Sequence, residues 1–298
     1  MYDIADCFKD PICKNREYLI NLLDLVKKPI IITFHTILKE PSLKQKEVLY
    51  ELAKRSDRVV VMAEIAIEML DEIYNVPKEK IVMIPHGVPD LPFDSQVKSK
   101  EIIGLKDKLI ISTLGLLGPG KGLEYIITAI PKVIAKYPEA RYLILGPTHP
   151  LVAKNTGESY RESLVSEIEK LGLSDYVIQY KKFFNNEDIA LFLGATDIYI
   201  TPYENPQQIT SGTLARAVSM GRSCISTSYI YAKEVLGDER GLLIPFRDSD
   251  AISEAIITLI SNESMRKEME NKSYQYSRPM TWENVANRYL KLSQEITS

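Results

Sequence analysis

Apolar runs of strand length alternate along this chain with longer segments in which apolar residues recur at helical spacing. In the first third of the chain the pattern predicts strands at residues 29–34, 58–62 and 80–84, with helices at 43–55 and 65–74. The predicted strands are β-branched runs without polar alternation, which is typical of a parallel sheet covered on both faces. The pattern therefore predicts an α/β fold.

The stretch from His86 to about Lys106 interrupts this alternation. It combines prolines, a glycine and many charged residues, a composition that favours a linker. We expect the lysines between Lys98 and Lys108 to be solvated. We also expect His86 to fix the turn before the linker by hydrogen bonding.

After the linker the alternation is more regular and predicts a doubly wound α/β domain. The predicted strands span residues 109–114, 141–145, 176–179, 198–201, 223–226 and 241–244. The predicted helices span residues 123–136, 160–171, 186–193, 212–220, 231–236, 252–260, 264–276 and 282–296. In such a domain, ligands bind beyond the carboxyl ends of the strands.

A glycine-rich turn, Gly115 to Gly122, lies directly between a predicted strand and a predicted helix. Glycines let the backbone approach an anion closely, the first helical N–H groups point at it, and Lys121 adds a full positive charge. The spacing matches neither the P-loop nor the dinucleotide fingerprint. Two interpretations remain open: a phosphate receptor, or a tight turn with an exposed lysine.

Two other turns follow strands of the same predicted sheet, one at Gly146 to Pro150 and one from Pro202 onward. Their convergence on one rim favours the phosphate interpretation. The third turn contains Gln208 and Thr210, whose polar groups suit the hydroxyls of a sugar. The alternative is a capped helix that follows a proline-bounded loop and needs no ligand.

Composition narrows the function classes. The chain has 298 residues, 45% of them hydrophobic and 26% charged, as in an ordinary globular protein. A net charge of −3 gives no electrostatic reason to expect nucleic acid. Apolar runs are too short to span a bilayer and no secretory signal pattern opens the chain, so we expect a cytoplasmic protein without membrane association. Cys7 and Cys13 are close in sequence but have no partnering histidine nearby, so we predict no metal site, and we expect Cys7, Cys13 and Cys224 to be reduced thiols.

Taken together, the motifs resemble those of a GT-B glycosyltransferase of family 4, the retaining group that uses nucleotide sugars. The resemblance is carried by the order of a strand that ends in Thr33-Phe34-His35-Thr36, the segment Ile84-Pro85-His86-Gly87-Val88, and the glycine-rich turn with Lys121. Thr210-Ser211-Gly212-Thr213-Leu214-Ala215, followed by Gly221 and a strand, completes the order.

The resemblance implies two Rossmann-like domains with parallel sheets, the first one incomplete. Residues 1–100 would form a truncated acceptor-side domain and residues 101–280 the nucleotide-sugar-binding domain. Residues 281–298 would form a helix that crosses back to the first domain. The implied reaction is retaining transfer, without a cofactor, from a donor such as GDP-mannose or UDP-glucose to a sugar or glycoconjugate acceptor.

The turns and the resemblance together give candidate site residues. The candidate catalytic residues are Lys121 and Gln208, which the resemblance implies, and His35, for which a cleft-facing role and a structural role both remain open. The implied donor-binding residues are Gly118, Gly120, Lys121, Thr148, His149, Tyr203, Gln208, Thr210, Ser211, Gly212 and Thr213.

The chain departs from the family at several positions. Leu116 stands where the family has a phosphate-binding arginine, and Gln208 and Arg216 stand where it has two glutamates. Arg216 cannot accept a hydrogen bond. Asp6 stands near the place of a family histidine, and the opening elements of the first domain have no counterpart. A second hypothesis is therefore a non-catalytic nucleotide-sugar-binding or partner-binding remnant, in which an oligomer or a partner chain covers the incomplete sheet.

Overall fold

The computed structural model of the protein describes residues 15–91, 93 and 96–297. These residues form two compact units. The first comprises the described residues up to Val88, Gln207–Gly212, and the described residues from Pro279 onward. The second comprises the described residues of Pro89–Pro206 together with Thr213–Arg278. Asp6, Cys7 and Cys13 lie outside the described residues.

The first unit is built on a parallel sheet of three strands in the order β1-β2-β3. Its elements before residue 88 are α1 (Asn15–Leu25), β1 (Ile31–Thr33), α2 (Leu43–Arg55), β2 (Arg58–Val61), α3 (Ile65–Tyr74) and β3 (Ile81–Met83). A capping box fixes the start of α2, because the Ser42 hydroxyl accepts from the Gln45 N–H and the Gln45 side chain accepts from the Ser42 N–H. Asn75 ends α3 in the left-handed conformation with φ 57°.

The second unit is built on six parallel strands in the order β6-β5-β4-β7-β8-β9. Its strands are β4 (Leu109–Leu114), β5 (Ala140–Leu145), β6 (Val177–Tyr180), β7 (Ile198–Thr201), β8 (Ser223–Thr227) and β9 (Gly241–Ile244). Its helices are α4 (Gln96–Ile102), α5 (Leu123–Lys136), α6 (Pro150–Thr156), α7 (Ser159–Lys170), α8 (Asn186–Ala195), α9 (Gly212–Ser219), α10 (Ile230–Val235), α11 (Ser249–Ser261) and α12 (Glu263–Ser277). The strand order reverses between β4 and β7, where open α/β sheets bind ligands. The predicted α/β fold with parallel sheets is confirmed.

The core of the second unit lies between the sheet and helices α5, α7 and α11. Ile111 of β4, Ile130 of α5, Leu164 of α7 and Ile256 of α11 are all at most 1% exposed and belong to one cluster. Burial of this apolar area is the main stabilisation of the sheet that carries the turns discussed below.

The last helix, α13 (Trp282–Thr297), belongs to the first unit. Its buried residues Val285 and Leu292 pack against the sheet. Trp282 is 53% exposed, and one edge of its ring covers Gly87. A Cβ at Gly87 would lie 2.2 Å from Cε3 of this ring, so only glycine fits there.

The first helix carries an exposed apolar face. Tyr18, Leu22 and Leu25 share one side of α1, because their spacing is helical, and they are 73%, 57% and 74% exposed. Nowhere in residues 15–91, 93 and 96–297 does a helix combine the length and apolar character needed to cross a membrane.

The prediction of a solvated linker is wrong for residues 96–102, which form α4. The Lys100 ammonium lies 2.6 Å from the Asp197 carboxylate and donates to the Lys108 carbonyl at 2.9 Å. The side chains of Lys100 and Asp197 are only 12% and 7% exposed. Because its partner lies 97 residues away in the sequence, local composition could not reveal this ion pair.

Replacing Asp197 by alanine tests the Lys100 ion pair. The change removes the carboxylate from a buried ammonium, which keeps only the Lys108 carbonyl as acceptor, and it leaves the Ile110 N–H without its acceptor. We expect a loss of about 3 kcal/mol in the free energy of unfolding, measured by urea denaturation with circular dichroism. The control is Asp250→Ala, which removes the partner of Lys132 in a pair whose side chains are 60% and 74% exposed. This control should cost less than about 1 kcal/mol, and equal losses would contradict the interpretation.

Candidate functional site

Hydrogen bonds join the turns that follow β4 and β5. The Gly115 N–H donates to the Leu145 carbonyl at 2.9 Å. The Leu117 N–H donates to the Pro147 carbonyl at 2.9 Å, and the His149 N–H donates back to the Leu117 carbonyl at 2.7 Å. The two turns therefore continue the parallel pairing of their strands beyond the end of the sheet.

The turn after β7 joins the same cluster. The Glu204 N–H donates to the Gly120 carbonyl at 3.0 Å. At Gly122, where φ is +69°, a Cβ would lie 2.1 Å from the Pro202 carbonyl oxygen. Only glycine tolerates both that conformation and that approach. The predicted convergence of three turns on one rim is confirmed within the second unit.

Lys121 belongs to the turn after β4 and contacts the turn after β7. Its ammonium is 4.1 Å from the centroid of the Tyr203 ring. The two nearby carboxylates have other partners: Glu204 pairs with Arg247 at 2.6 Å, and Glu124 accepts from the Tyr160 hydroxyl at 2.7 Å. Among residues 15–91, 93 and 96–297, no carboxylate pairs with Lys121. The rim therefore presents a cation whose charge no neighbouring acid neutralises.

The Glu124–Tyr160 hydrogen bond shapes the electrostatics of the helix start. Burial of the Tyr160 phenol, together with the Glu124 carboxylate that it bonds, raises the pKa of Tyr160 far above its usual value. The phenol therefore stays protonated and keeps donating to Glu124 near neutral pH. This bond ties the Glu124 carboxylate to α7 rather than to Lys121.

The start of α5 has no side-chain cap. Gly122 occupies the N-cap position with no side chain to cap the helix. Uncapped N–H groups and the helix dipole attract negative charge, and Lys121 immediately precedes them. Beside Lys121 lies a small depression. Its lining consists of Thr113, Leu114, Gly115, Leu116, Leu117, Lys121, Leu123, Ile144 and Tyr203.

Tyr203 is anchored on several sides and is 3% exposed. Its ring stacks on that of Tyr229 with centroids 5.6 Å apart and an interplanar angle of 21°. Its hydroxyl lies 3.1 Å from the Thr213 hydroxyl, and its carbonyl accepts from the Thr227 hydroxyl at 2.5 Å. The structure thus places the Tyr203 ring beneath the Lys121 ammonium, with Thr213 bonded to the hydroxyl of that ring.

Thr148 and His149 bond within their own turn. The Thr148 hydroxyl donates to the Glu158 carboxylate at 2.5 Å. The His149 ring accepts from the Leu151 N–H at 3.2 Å and caps α6. Arg161, which is 2% exposed, donates to the Gly146 carbonyl at 2.8 Å. Burial lowers the pKa of Arg161 and the Glu158 carboxylate opposes this effect. These bonds fix the conformation of the turn after β5.

The remaining predicted residues lie in the first unit. The Thr210 hydroxyl donates to the His35 carbonyl at 3.1 Å, and the Gln208 amide donates to the Thr210 carbonyl at 3.0 Å. Ser211 is 5% exposed. The structure therefore brings His35, Gln208 and Thr210 together at the end of β1.

His86 and Gly212 also meet within the first unit. A Cβ at Gly212 would lie 2.8 Å from Nε2 of His86. Nδ1 of the same ring lies 2.9 Å from the Gly87 carbonyl, which accepts its hydrogen. The expectation that His86 fixes this turn by hydrogen bonding is confirmed.

The predicted site residues thus form two groups, one in each unit. Gly118, Gly120, Lys121, Thr148, His149, Tyr203 and Thr213 belong to the second unit. His35, Gln208, Thr210, Ser211 and Gly212 belong to the first.

Arg247 is a residue of the rim that the sequence analysis missed. Its Nε and a terminal nitrogen lie 2.7 Å and 2.6 Å from one oxygen of Glu204. This pairing raises the pKa of Arg247. Its φ of +59° is unusual for a residue other than glycine. No local signal marks Arg247, because its partner lies 43 residues away in the sequence.

Two family models match the chain. The model described as Glycosyl transferases group 1 matches residues 95–276. The model described as Glycosyltransferase Family 4 matches residues 18–90. The first match covers more than half of the chain and includes all three turns of the rim.

Curated relatives are longer than this chain. An uncharacterized glycosyltransferase of Methanocaldococcus jannaschii is 24% identical over 243 residues, which cover 78% of this chain and 58% of the relative. Phosphatidyl-myo-inositol mannosyltransferase of Mycobacterium tuberculosis is 22% identical over 283 residues, which cover 92% of this chain and 69% of the relative.

Solved structures share the fold. HepE of Anabaena, in a crystal structure with UDP and glucose, has a TM-score of 0.77 at 17% identity over 96% of this chain and 76% of its own. Sucrose-phosphate synthase of Thermosynechococcus elongatus has a TM-score of 0.78 at 18% identity over 95% of this chain and 71% of its own. At these identities the likeness establishes the architecture alone.

A pair of glycine substitutions tests the close approach of the turns. Gly120→Ala and Gly122→Ala both place a side chain at positive φ, at 84° and 69°. A Cβ at Gly120 has no neighbour within 4 Å, whereas one at Gly122 meets the Pro202 carbonyl. We expect unfolding free energies lower by about 1 kcal/mol for Gly120→Ala and by about 2–4 kcal/mol for Gly122→Ala, measured by urea denaturation. Equal effects would show that the turns can separate without cost.

Proposed function

The chain belongs to the glycosyl transferases group 1 family and has the GT-B fold, and on that basis we propose that it transfers a sugar from a nucleotide diphosphate sugar to an acceptor hydroxyl. We propose further that the transfer retains the anomeric configuration and that the transferred group is a hexose. The matched residues cover only 58% and 69% of the two relatives, so the activity of this chain is itself part of the proposal.

The observation that carries the proposal is the Lys121 ammonium at the switch point of the second sheet. It has no carboxylate partner among the described residues and lies beside the uncapped start of α5. A diphosphate is the part of a nucleotide sugar that needs concentrated positive charge.

In the proposed reaction the bond between the anomeric carbon and the diphosphate oxygen breaks as the acceptor oxygen bonds to that carbon. The electron pair of the broken bond stays on the nucleotide diphosphate. Lys121 and the amides of α5 stabilise this negative charge as it develops, which lowers the barrier. The proton of the acceptor hydroxyl passes to the departing phosphate oxygen, so the step is balanced without a further co-reactant.

We assign sugar recognition to polar groups of the first unit. Gln208, Thr210 and Ser211 carry amide and hydroxyl groups, which can donate to and accept from sugar hydroxyls. His35 is the proposed catalytic side chain of this unit, since an imidazole can donate a hydrogen bond from one ring nitrogen and accept one at the other. Gly212 permits close backbone approach.

A diphosphate site suits nucleotide diphosphate sugars as a class. Within that class we propose UDP-glucose or GDP-mannose as the donor. HepE, whose crystal structure contains UDP and glucose, supports the first. The name of the mycobacterial mannosyltransferase relative supports a mannose donor. We propose a sugar or a glycoconjugate as the acceptor. We propose that the protein acts on nucleotide sugars in the cytoplasm.

A second candidate function is nucleotide-sugar binding without transfer. Two observations favour it: Leu116 removes a phosphate-binding guanidinium from the rim, and Arg216, whose guanidinium donates to Asn186 at 3.1 Å, stands where the family has an acid. Because α1 has an exposed apolar face, we also propose that a second copy of the chain or a partner chain covers this face of the first unit. Light scattering and a transfer assay separate these candidates, because a monomer with turnover would reject both.

Replacing Lys121 by alanine tests the diphosphate site. We expect the affinity for UDP-glucose or GDP-mannose to fall by about 10- to 150-fold, because a charge-assisted hydrogen bond contributes about 1.5–3 kcal/mol. Titration calorimetry on the full chain measures the loss. Lys132→Ala is the control, since Lys132 is 60% exposed and pairs with Asp250. Unchanged affinity in Lys121→Ala would refute the proposed site.

A further inference from the structure

We propose that Tyr203 is a positioning residue, whose aromatic face holds the Lys121 ammonium where a diphosphate can meet it. The inference rests on the proposed function and deepens it by one residue. It gives Tyr203 a role that acts through Lys121 rather than through contact with the donor.

The geometry of the pair is that of a cation–π interaction. The ammonium lies 4.1 Å from the ring centroid, within the range of about 6 Å where the ring quadrupole attracts a cation. A lysine side chain has four flexible carbons and loses much entropy when it is fixed. The ring face therefore supplies the attraction that keeps this flexible amine in one place before a ligand arrives.

An aromatic face holds a cation without neutralising it. A carboxylate partner would cancel the charge of Lys121 and compete with phosphate, and the two carboxylates of this rim bond elsewhere. A ring carries no net charge and occupies one side of the ammonium. The N–H donors on the other sides stay available for phosphate oxygens.

Tyr203 is itself held firmly. It is 3% exposed, its ring stacks on that of Tyr229, and its hydroxyl bonds to that of Thr213. These contacts fix the ring over which the Lys121 ammonium lies.

The contact itself can be measured without ligand. In the full chain with labelled lysine, the ring current of Tyr203 should shift the side-chain protons of Lys121 upfield. The shift should persist in Tyr203→Phe and disappear in Tyr203→Leu. Persistence in Tyr203→Leu would overturn the inference, and the circular dichroism of each variant checks that it folds.

Donor affinity gives the functional readout. With UDP-glucose or GDP-mannose, whichever binds the wild type more tightly, we expect Tyr203→Phe to stay within about twofold and Tyr203→Leu to lose about tenfold. A matched control is Tyr176→Leu, since Arg141 lies over the Tyr176 ring at 4.8 Å away from the three turns. This control should leave the affinity unchanged.

Fluorination separates the electrostatic role from a structural one. Phenylalanine at position 203 with one, two and three ring fluorines keeps nearly the same shape while the negative potential of the face decreases. We expect the affinity to fall with each fluorine, by about tenfold over the series, and the same series at position 176 to have no effect. If donor affinity did not change across the fluorinated variants at position 203 while Lys121→Ala still bound the donor weakly, the role of Tyr203 would be overturned and the proposed function would stand. Equal donor affinity of the wild type and Lys121→Ala would instead overturn the proposed function.

Discussion

Backbone contact between three turns at the ends of β4, β5 and β7 is the constraint on which the candidate site of the second unit depends. Parallel strands bring these turns to one edge, but parallel pairing alone leaves them side by side. Gly122 and Gly146 let them touch, since a Cβ at either position would lie 2.1 Å from a carbonyl oxygen of the next turn. The contact fixes the backbone around Lys121 before any ligand is present, so no ordering entropy remains for this part of the site.

The pairing of charged side chains is the second feature that defines the candidate site of the second unit. Two carboxylates, Glu204 and Glu124, and two cationic side chains, Lys121 and Arg247, lie in or beside the turns of the rim. Hydrogen bonding between side chains decides which of these charges can still bind a ligand. Glu204 is occupied by Arg247 and Glu124 by Tyr160, whose phenol stays protonated. Lys121 remains as the cation that faces no acid in the described part of the chain. A site for a multiply charged anion can therefore exist in a protein with a net charge of −3, because local pairing matters more than the total.

Much of the fold was predictable from the sequence, because its elements follow local rules. Strands β4, β7 and β9 and helices α2, α3 and α5 begin and end at the predicted residues. Their signals are apolar runs, caps and glycines within a few residues. Helix α4 was missed, since the partner of its Lys100 is Asp197, which lies 97 residues away in the sequence. The convergence of the turns was predictable from strand direction, whereas the Arg247 pair and the Tyr203 face depend on tertiary contacts and left no sequence pattern.

The indole ring of Trp282, which covers Gly87, can serve as a fluorescent probe of the first unit. Trp282 is the single tryptophan of the chain, and it belongs to the first unit together with Gly87. Indole emission excited at long wavelength therefore originates from one place. A denaturation curve recorded by this emission follows the first unit by itself, and comparison with a backbone signal would reveal whether the two units melt as one cooperative body or in succession.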